Sequence, residues 1–323
     1  MSSTTPEQQL PVGGIPSRRQ LRFGDVAWKG VALVAAVGSA LLLALLAYKV
    51  VAQAWPAIRH FGPSFAWAYV WNPNSAAFGA ASFVFGTVVT SFIALLIATP
   101  LSIAIALFLT EIAPKWLRTP IATVVELLAA IPSVVLGLWG ILVFGPWLSH
   151  NLEPWLQDAF GYLPIFSGPT EQVGILPASL ILTIMIVPII SSLCRELFSR
   201  VPGELAAGSL ALGSTRWEAI RCVVIPFAAP GIVAAMLLGL GRAFGEAIAV
   251  TQVIGGRTNI SVSLFAPGDT LGSKIAASYQ GAGTGLETQS LLYLAAILMV
   301  ISLLTNLAAQ AVVGKFETAR RLQ

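Results

Sequence analysis

Residues 204–226 read ELAAGSLALGSTRWEAIRCVVIP, a charged, glycine-split stretch between two long apolar runs. Ala206, Ala207, Leu210 and Ala211 recur at helical spacing, which predicts a short helix over 204–212, started by Pro202 and Gly203. Gly213 fits the position just past a helix end, where a left-handed backbone costs little without a Cβ. Thr215 and Glu218 form a T-x-x-E capping box that starts a second helix. Trp217, Ile220 and Val224 fall on one stripe of that helix, while Arg216, Glu218 and Arg221 stay polar. Pro226 is expected to end it before the next apolar run. The predicted unit is helix, glycine corner, helix. Such a corner suits docking into a groove of a soluble partner. An amphipathic linker resting on lipid headgroups has the same pattern. The physics of the stretch leaves both readings open.

The surroundings of the stretch are apolar. The chain has 323 residues, 56% of them hydrophobic and 10% charged. A soluble domain carries about 25% charged residues, so this surface is too poor in charge for water. Six runs are long enough to cross a bilayer: 29–54, 80–109, 120–147, 175–195, 229–253 and 289–313. Runs of this length satisfy their backbone hydrogen bonds as helices and are about twice as long as a barrel strand. The expected fold class is an all-α membrane protein with six transmembrane helices. Residues 1–28 read as a polar, disordered tail, 29–313 as one six-helix membrane domain holding a loop over 196–228, and 314–323 as a second tail. The start of the chain lacks a short apolar region followed by a small-residue cleavage site, so the first span is expected to remain as an anchor.

Lys and Arg set the expected orientation. With both termini inside, the inner segments hold Arg18, Arg19, Arg22, Lys29, Lys115, Arg118, Arg195, Arg200, Arg216, Arg221, Lys315, Arg320 and Arg321, or 13 of 18. The +4 charge is then a topology signal, and nucleic acid is not an expected partner. The outer loops are expected at 55–79, 148–174 and 254–288, the last rich in Gly, Ser and Thr. Trp55, Trp67, Tyr69 and Trp71 suit the headgroup region. Cys194 and Cys222 fall on the inner side and make no metal site. Pro100, Pro132 and Pro188 interrupt three spans, as kinks or as ordinary bundle packing.

The intramembrane charges carry the chemistry. GRAFGEAIAV (241–250) puts Arg242 and Glu246 at i and i+4 in the fifth span, predicting one helix face. A charge in the bilayer costs several kcal/mol unless paired or wet, so both are expected to face the bundle interior. A guanidinium offers a planar fork of donors to an oxyanion. The pair reads either as an anion path or as a structural ion pair between helices. Glu126, six residues before Pro132, is a third member of that path or a packing contact. Gly241 and Gly245 have the G-x-x-x-G spacing of closely approaching helices. GLGRAFG (239–245) touches a dinucleotide fingerprint, but no strand precedes it. No G-x-x-x-x-G-K-[ST] occurs in the sequence, and no nucleophile–base pair marks an enzyme.

Two sets of strings carry a resemblance. The opening stretch resembles the docking loop of ABC importer permeases, the EAA…G…I-x-L-P motif. Gly213 matches its glycine, and Val223, Ile225 and Pro226 match its end. The motif's Glu-Ala-Ala positions hold Ala207, Gly208 and Ser209 instead, with Glu204 one turn earlier. The strings WNPNSAAFGAASFVFGTVVTSFIALLIATPLSIAIALFLTEIAP, ELLAAIPSVVLGLWGILVFGP and GRAFGEAIAVTQVIGG resemble the C-type permease subunit of the Pst phosphate importer, from about residue 64 to 315. The resemblance implies a type I ABC importer permease of the bacterial plasma (inner) membrane, with no catalytic residues and no metal or cofactor of its own. Arg242, Glu246 and Glu126 would line the anion path. Glu204, Ala207, Leu210, Gly213, Thr215, Trp217, Glu218, Ile225 and Pro226 would form the ATPase-docking loop. The implied partners are a PstA-type permease, two PstB-type ATPases carrying ATP and Mg, a PstS-type phosphate-binding protein, inorganic phosphate and the lipid bilayer. A permease for sulfate, molybdate or phosphonate, or an ion-coupled secondary transporter, would share much of this pattern.

Overall fold

A computed structural model describes residues 18–283 and 285–321. Residues 1–17 of the tail expected over 1–28 lie outside the described residues, and the rest of it, expected to be disordered, is helical from Arg18 onward. The chain forms two compact units, Met1–Lys49 and Val50–Gln323. Helix α1 spans Arg18–Phe61.

The remaining helices belong to the second unit. They are α2 (Ala81–Ile112), α3 (Lys115–Ala130), α4 (Ser133–Phe160), α5 (Ile175–Ser199), α6 (Gly203–Ala211), α7 (Arg216–Phe244), α8 (Ile248–Val253), α9 (Leu271–Ser278) and α10 (Leu286–Arg321). Among the described residues six apolar helices are long enough to span a membrane: residues 26–66, α2, α4, α5, α7 and the first 26 residues of α10. Among the described residues the fold is helical throughout, with two isolated β-bridges and no strand.

Helix α5 is the centre of the unit, with 78% of its apolar window buried. α2 and α7 pack against it. Ile181, Ile186, Ile190 and Cys194 form its buried stripe, with Ala94, Ala98, Ala106, Ala228 and Ala235 facing it. Small residues on the flanking helices let the backbones approach, which is how helices associate where lipid removes the hydrophobic drive. The Ser102 hydroxyl donates across α2–α5 to the Val187 carbonyl at 3.2 Å. A second cluster, Phe65, Phe78, Phe83, Leu271, Leu291 and Leu294, joins α2, α9 and α10.

The spans differ from their sequence reading in definite ways. The run 120–147 is two helices, not one. Ile131 is extended (ψ 126°), as a residue before proline prefers, and Pro132 caps α4. Pro100 and Pro188 lie inside unbroken helices. The loop expected at 55–79 is α-helical through Phe61 and 3₁₀-helical on to Ala66, and the loop expected from 148 begins only after Phe160. Glu153 is therefore a fully buried residue of α4, and its Oε2 accepts the Glu171 N–H at 3.2 Å. Pro226 does not end a helix. A π-helical turn over Ile220–Val224 widens the backbone ahead of it, where an α-turn would set its ring against the Cys222 carbonyl, and α7 continues to Phe244.

The close approach of α7 is not made by the predicted glycine pair. A Cβ at Gly241 would meet only Asn306, at 3.9 Å, whereas one at Gly239 would lie 2.7 Å from Ile190 on α5. A tighter contact holds α4 to the segment before α5. A Cβ at Gly145 would fall 2.2 Å from the Gln172 carbonyl oxygen, which cannot rotate away. Gly145→Ala is expected to cost about 2 kcal/mol or more, in the range of forced overpacking. A melting curve of the purified chain in detergent would show it as a lowered midpoint.

Candidate functional site

The fifth span is split where its charges lie. α7 stops at Phe244, Gly245 and Ala247 carry the chain round, and α8 restarts at Ile248. Arg242 and Glu246 are therefore not on one continuous helix face, as the i,i+4 spacing predicts. They are still brought together, with Arg242 Nη2 3.3 Å from Glu246 Oε2.

The two members of the pair are placed differently. The Glu246 side chain is 5% exposed and the Arg242 side chain 49%. Glu246 Oε1 accepts the Ala249 N–H at 3.2 Å, in the first turn of α8. A carboxylate there meets unpaired N–H groups and the positive end of the helix, which offsets the cost of its burial. α8 is seated on α4 by Gly137, where a Cβ would come within 2.8 Å of the Ala249 Cα. Glu246 is thus the fixed anchor and Arg242 the open end. Most of the five N–H donors of the guanidinium remain available to an anion on that side.

Glu126 does not join this pair. It binds Arg195 of α5 at 2.6 Å, with both side chains partly exposed. The ion pair borders an open cleft of about 800 Å³ lined by Glu111, Arg118, Arg195 and Glu196. Glu126 is thus one polar link between α3 and α5.

The stretch 204–226 folds as its sequence predicts up to Pro226. α6 ends at Ala211 and Gly213 is left-handed, with φ +91°. The Gly213 N–H donates to Leu210 O (3.0 Å) and the Ser214 N–H to Ser209 O (3.3 Å), the paired bonds of a Schellman end. The Thr215 N–H donates to Glu218 Oε2 at 2.7 Å and the Glu218 N–H to Thr215 Oγ1 at 3.3 Å. Both halves of the capping box are therefore formed. Ile220 and Val224 root the corner in the core. Glu204, Ala207, Leu210, Thr215, Trp217, Glu218 and Pro226 are exposed, and Ile225 is half-buried. Leu212, at the tip, is 91% exposed. Thr215→Val is expected to remove about 1 kcal/mol of capping, seen as faster hydrogen exchange of the Glu218 amide with little effect on α5.

Sequence reading missed one polar node. Asp269, Thr270 and Ser273 are buried at the start of α9, and Thr270 and Ser273 cap that helix. The T-x-x-S spacing in DTLGS (269–273) is its only signal, weaker than T-x-x-E.

Six apolar spans, the fifth followed by a break that sets an arginine against a buried carboxylate, mark a multi-pass membrane protein. A family model described as "Binding-protein-dependent transport system inner membrane component" matches residues 98–318. The phosphate transport system permease protein PstC of Pasteurella multocida (strain Pm70) is 43% identical over 81% of this chain and 83% of its own. That of Mesorhizobium japonicum is 42% identical over 88% of this chain and 89% of its own. A crystal structure of a bacterial ABC transporter involved in the import of the acidic polysaccharide alginate superposes with a TM-score of 0.50 at 18% identity, covering 88% of this chain and 98% of that one. It shares the fold. The chain belongs to the binding-protein-dependent transport permease family, among the phosphate transport system permease proteins of the PstC type.

Proposed function

We propose that this chain is the permease subunit of an ATP-driven importer of inorganic phosphate. The observation that carries the reading is the half-exposed Arg242 held by the buried Glu246 at the break between α7 and α8. A guanidinium binds a phosphate oxyanion through parallel N–H donors. A neighbouring carboxylate limits how tightly the anion is held, so that it can leave. The names of the relatives give the anion its identity.

In this reading both tails and the Gly213 corner are cytoplasmic, and the membrane is the bacterial plasma (inner) membrane. The corner docks on an ATPase subunit through its exposed face. A second, PstA-type permease completes the path. Two PstB-type ATPases hold ATP and Mg, and a PstS-type protein delivers phosphate to the opposite face. The chain itself hydrolyses nothing. Glu126 and Arg195 tie α3 to α5 beside the open cleft, so Glu126 serves the packing of that face and not the anion.

The test is uptake of labelled phosphate at limiting concentration, in cells lacking the chain and in cells with it restored. Unlabelled arsenate, sulfate and phosphonate are the competitors. Restored uptake blocked by phosphate and arsenate alone supports the reading. Unchanged phosphate uptake, or competition by sulfate, removes the substrate assignment.

A further inference from the structure

The segment after α8 returns to the Arg242–Glu246 break. A Cβ at Gly272, in the first turn of α9, would lie 3.2 Å from the Glu246 carbonyl oxygen and 3.3 Å from the Ala247 Cβ. The Thr251 hydroxyl of α8 lies 3.4 Å from the Ser273 carbonyl oxygen. The first turn of α9 is therefore a wedge against the backbone that carries Glu246.

That turn is held by an unusual number of side chains. A helix start leaves several N–H groups without helical partners. Here the Thr270 N–H donates to Asp269 Oδ1 at 2.9 Å and to Ser273 Oγ at 2.8 Å. The Ser273 N–H donates to Thr270 Oγ1 at 3.1 Å, and the Ser273 hydroxyl donates to Asp269 Oδ1. The Leu271 N–H donates to Thr87 Oγ1 of α2 at 2.9 Å. A Cβ at Gly86 of α2 would fall 1.9 Å from the Asp269 carbonyl oxygen. Asp269, Thr270, Ser273 and Thr87 are all buried. Lys274 Nζ sits 5.2 Å over the Trp71 ring and 5.8 Å over Phe83, closing the node from the side.

We infer that Asp269 is a positioning residue for anion passage: through the first turn of α9 and Gly272 it fixes Glu246, and through Glu246 it sets the reach of Arg242. The inference rests on the reading of Arg242 as part of the anion path. Asp269 acts as an acceptor. One oxygen, Oδ1, takes both donors, and an amide oxygen would take them equally well. Burial pushes this carboxyl up from its ordinary value, against Ser273, Lys274 and Thr270, which agrees with a role that does not need the charge.

The experiment measures KM and Vmax for labelled inorganic phosphate in cells carrying the full transporter, per membrane-inserted chain. Asp269→Asn is expected to stay within about twofold of wild type. Asp269→Leu is expected to raise KM about tenfold, the scale of a small misplacement of a binding group. Gly272→Ala, which only nudges the break, is expected to insert normally and raise KM severalfold, so the test does not depend on Asp269→Leu folding. A merely structural node would lower the amount inserted and leave KM alone. Wild-type KM in Gly272→Ala overturns the inference, and so does an Asn variant as impaired as Leu. Arg242→Gln run in parallel separates the two levels. If it transports normally, the path reading falls and takes this inference with it. If it fails while Gly272→Ala keeps its KM, only the inference falls.

Discussion

Arg242→Gln is expected to leave the chain inserted and to cut phosphate uptake about 30- to 150-fold, the worth of a charge-assisted hydrogen bond of about 2–3 kcal/mol. The expectation follows from how the pair is built. Glu246 is the buried member, held by the Ala249 N–H as well as by Arg242. Removing the guanidinium deletes the donors an oxyanion would use. It also leaves a buried carboxylate without its counter-charge, and that carboxylate repels the anion. Arg242→Lys keeps the charge and loses the planar fork, so it should fall between the two. Glu246→Gln should act with the opposite sign on binding. The amide oxygen still accepts from Ala249, but the unpaired arginine holds phosphate more tightly, so KM falls while Vmax also falls. Uptake kinetics per inserted chain check all three. Normal uptake with Arg242→Gln would return the pair to a structural role.

What the sequence made legible follows the range of the interactions. The corner at Gly213 was readable in detail, because its signals lie within a few residues of one another: glycine past a helix end, then threonine and glutamate three apart. The pairing of Arg242 with Glu246 was readable for the same reason. The break between them was not, because glycine is common in membrane helices and the i,i+4 rule assumes that the helix continues. At the break Glu246 accepts the Ala249 N–H, Gly272 lets the start of α9 press on the turn, and Gly137 lets α4 press on α8.

Longer-range partners left no local trace. Glu126 meets an arginine 69 residues on, and Leu271 bonds to a threonine 184 residues before it. The prolines show the same limit. Pro132 separates two helices, while Pro100 and Pro188 sit inside helices pressed together by the α2–α5 contact. Local chemistry is alike at all three, and tertiary packing decides the outcome.

Gly213→Asp is expected to leave the chain inserted and to reduce ATP-driven uptake at least about tenfold. The residue has φ +91°, where any side chain costs about 1–2 kcal/mol. A Cβ there would meet nothing within 4 Å, so the chain itself has room for a side chain and should still fold. The strain instead weakens the Schellman bonds to Ser209 and Leu210, which set the angle between α6 and the capped start of α7. That angle fixes where Leu210, Leu212 and Trp217 point, and in the docking reading these exposed apolar side chains are what the corner would offer a partner. Gly213→Ala carries the strain without the charge and should retain more coupling than Asp. Thr215→Val, which loosens the second helix but not the corner, should lose less than either. Co-purification of the ATPase subunits with each variant reads the docking step apart from transport. A chain that worked alone, as an ion-coupled transporter, would be indifferent to the ATPase and to Gly213. Full uptake by Gly213→Asp with the ATPase absent would therefore favour that mechanism, whereas loss of uptake together with loss of the bound ATPase ties the corner to the energy source.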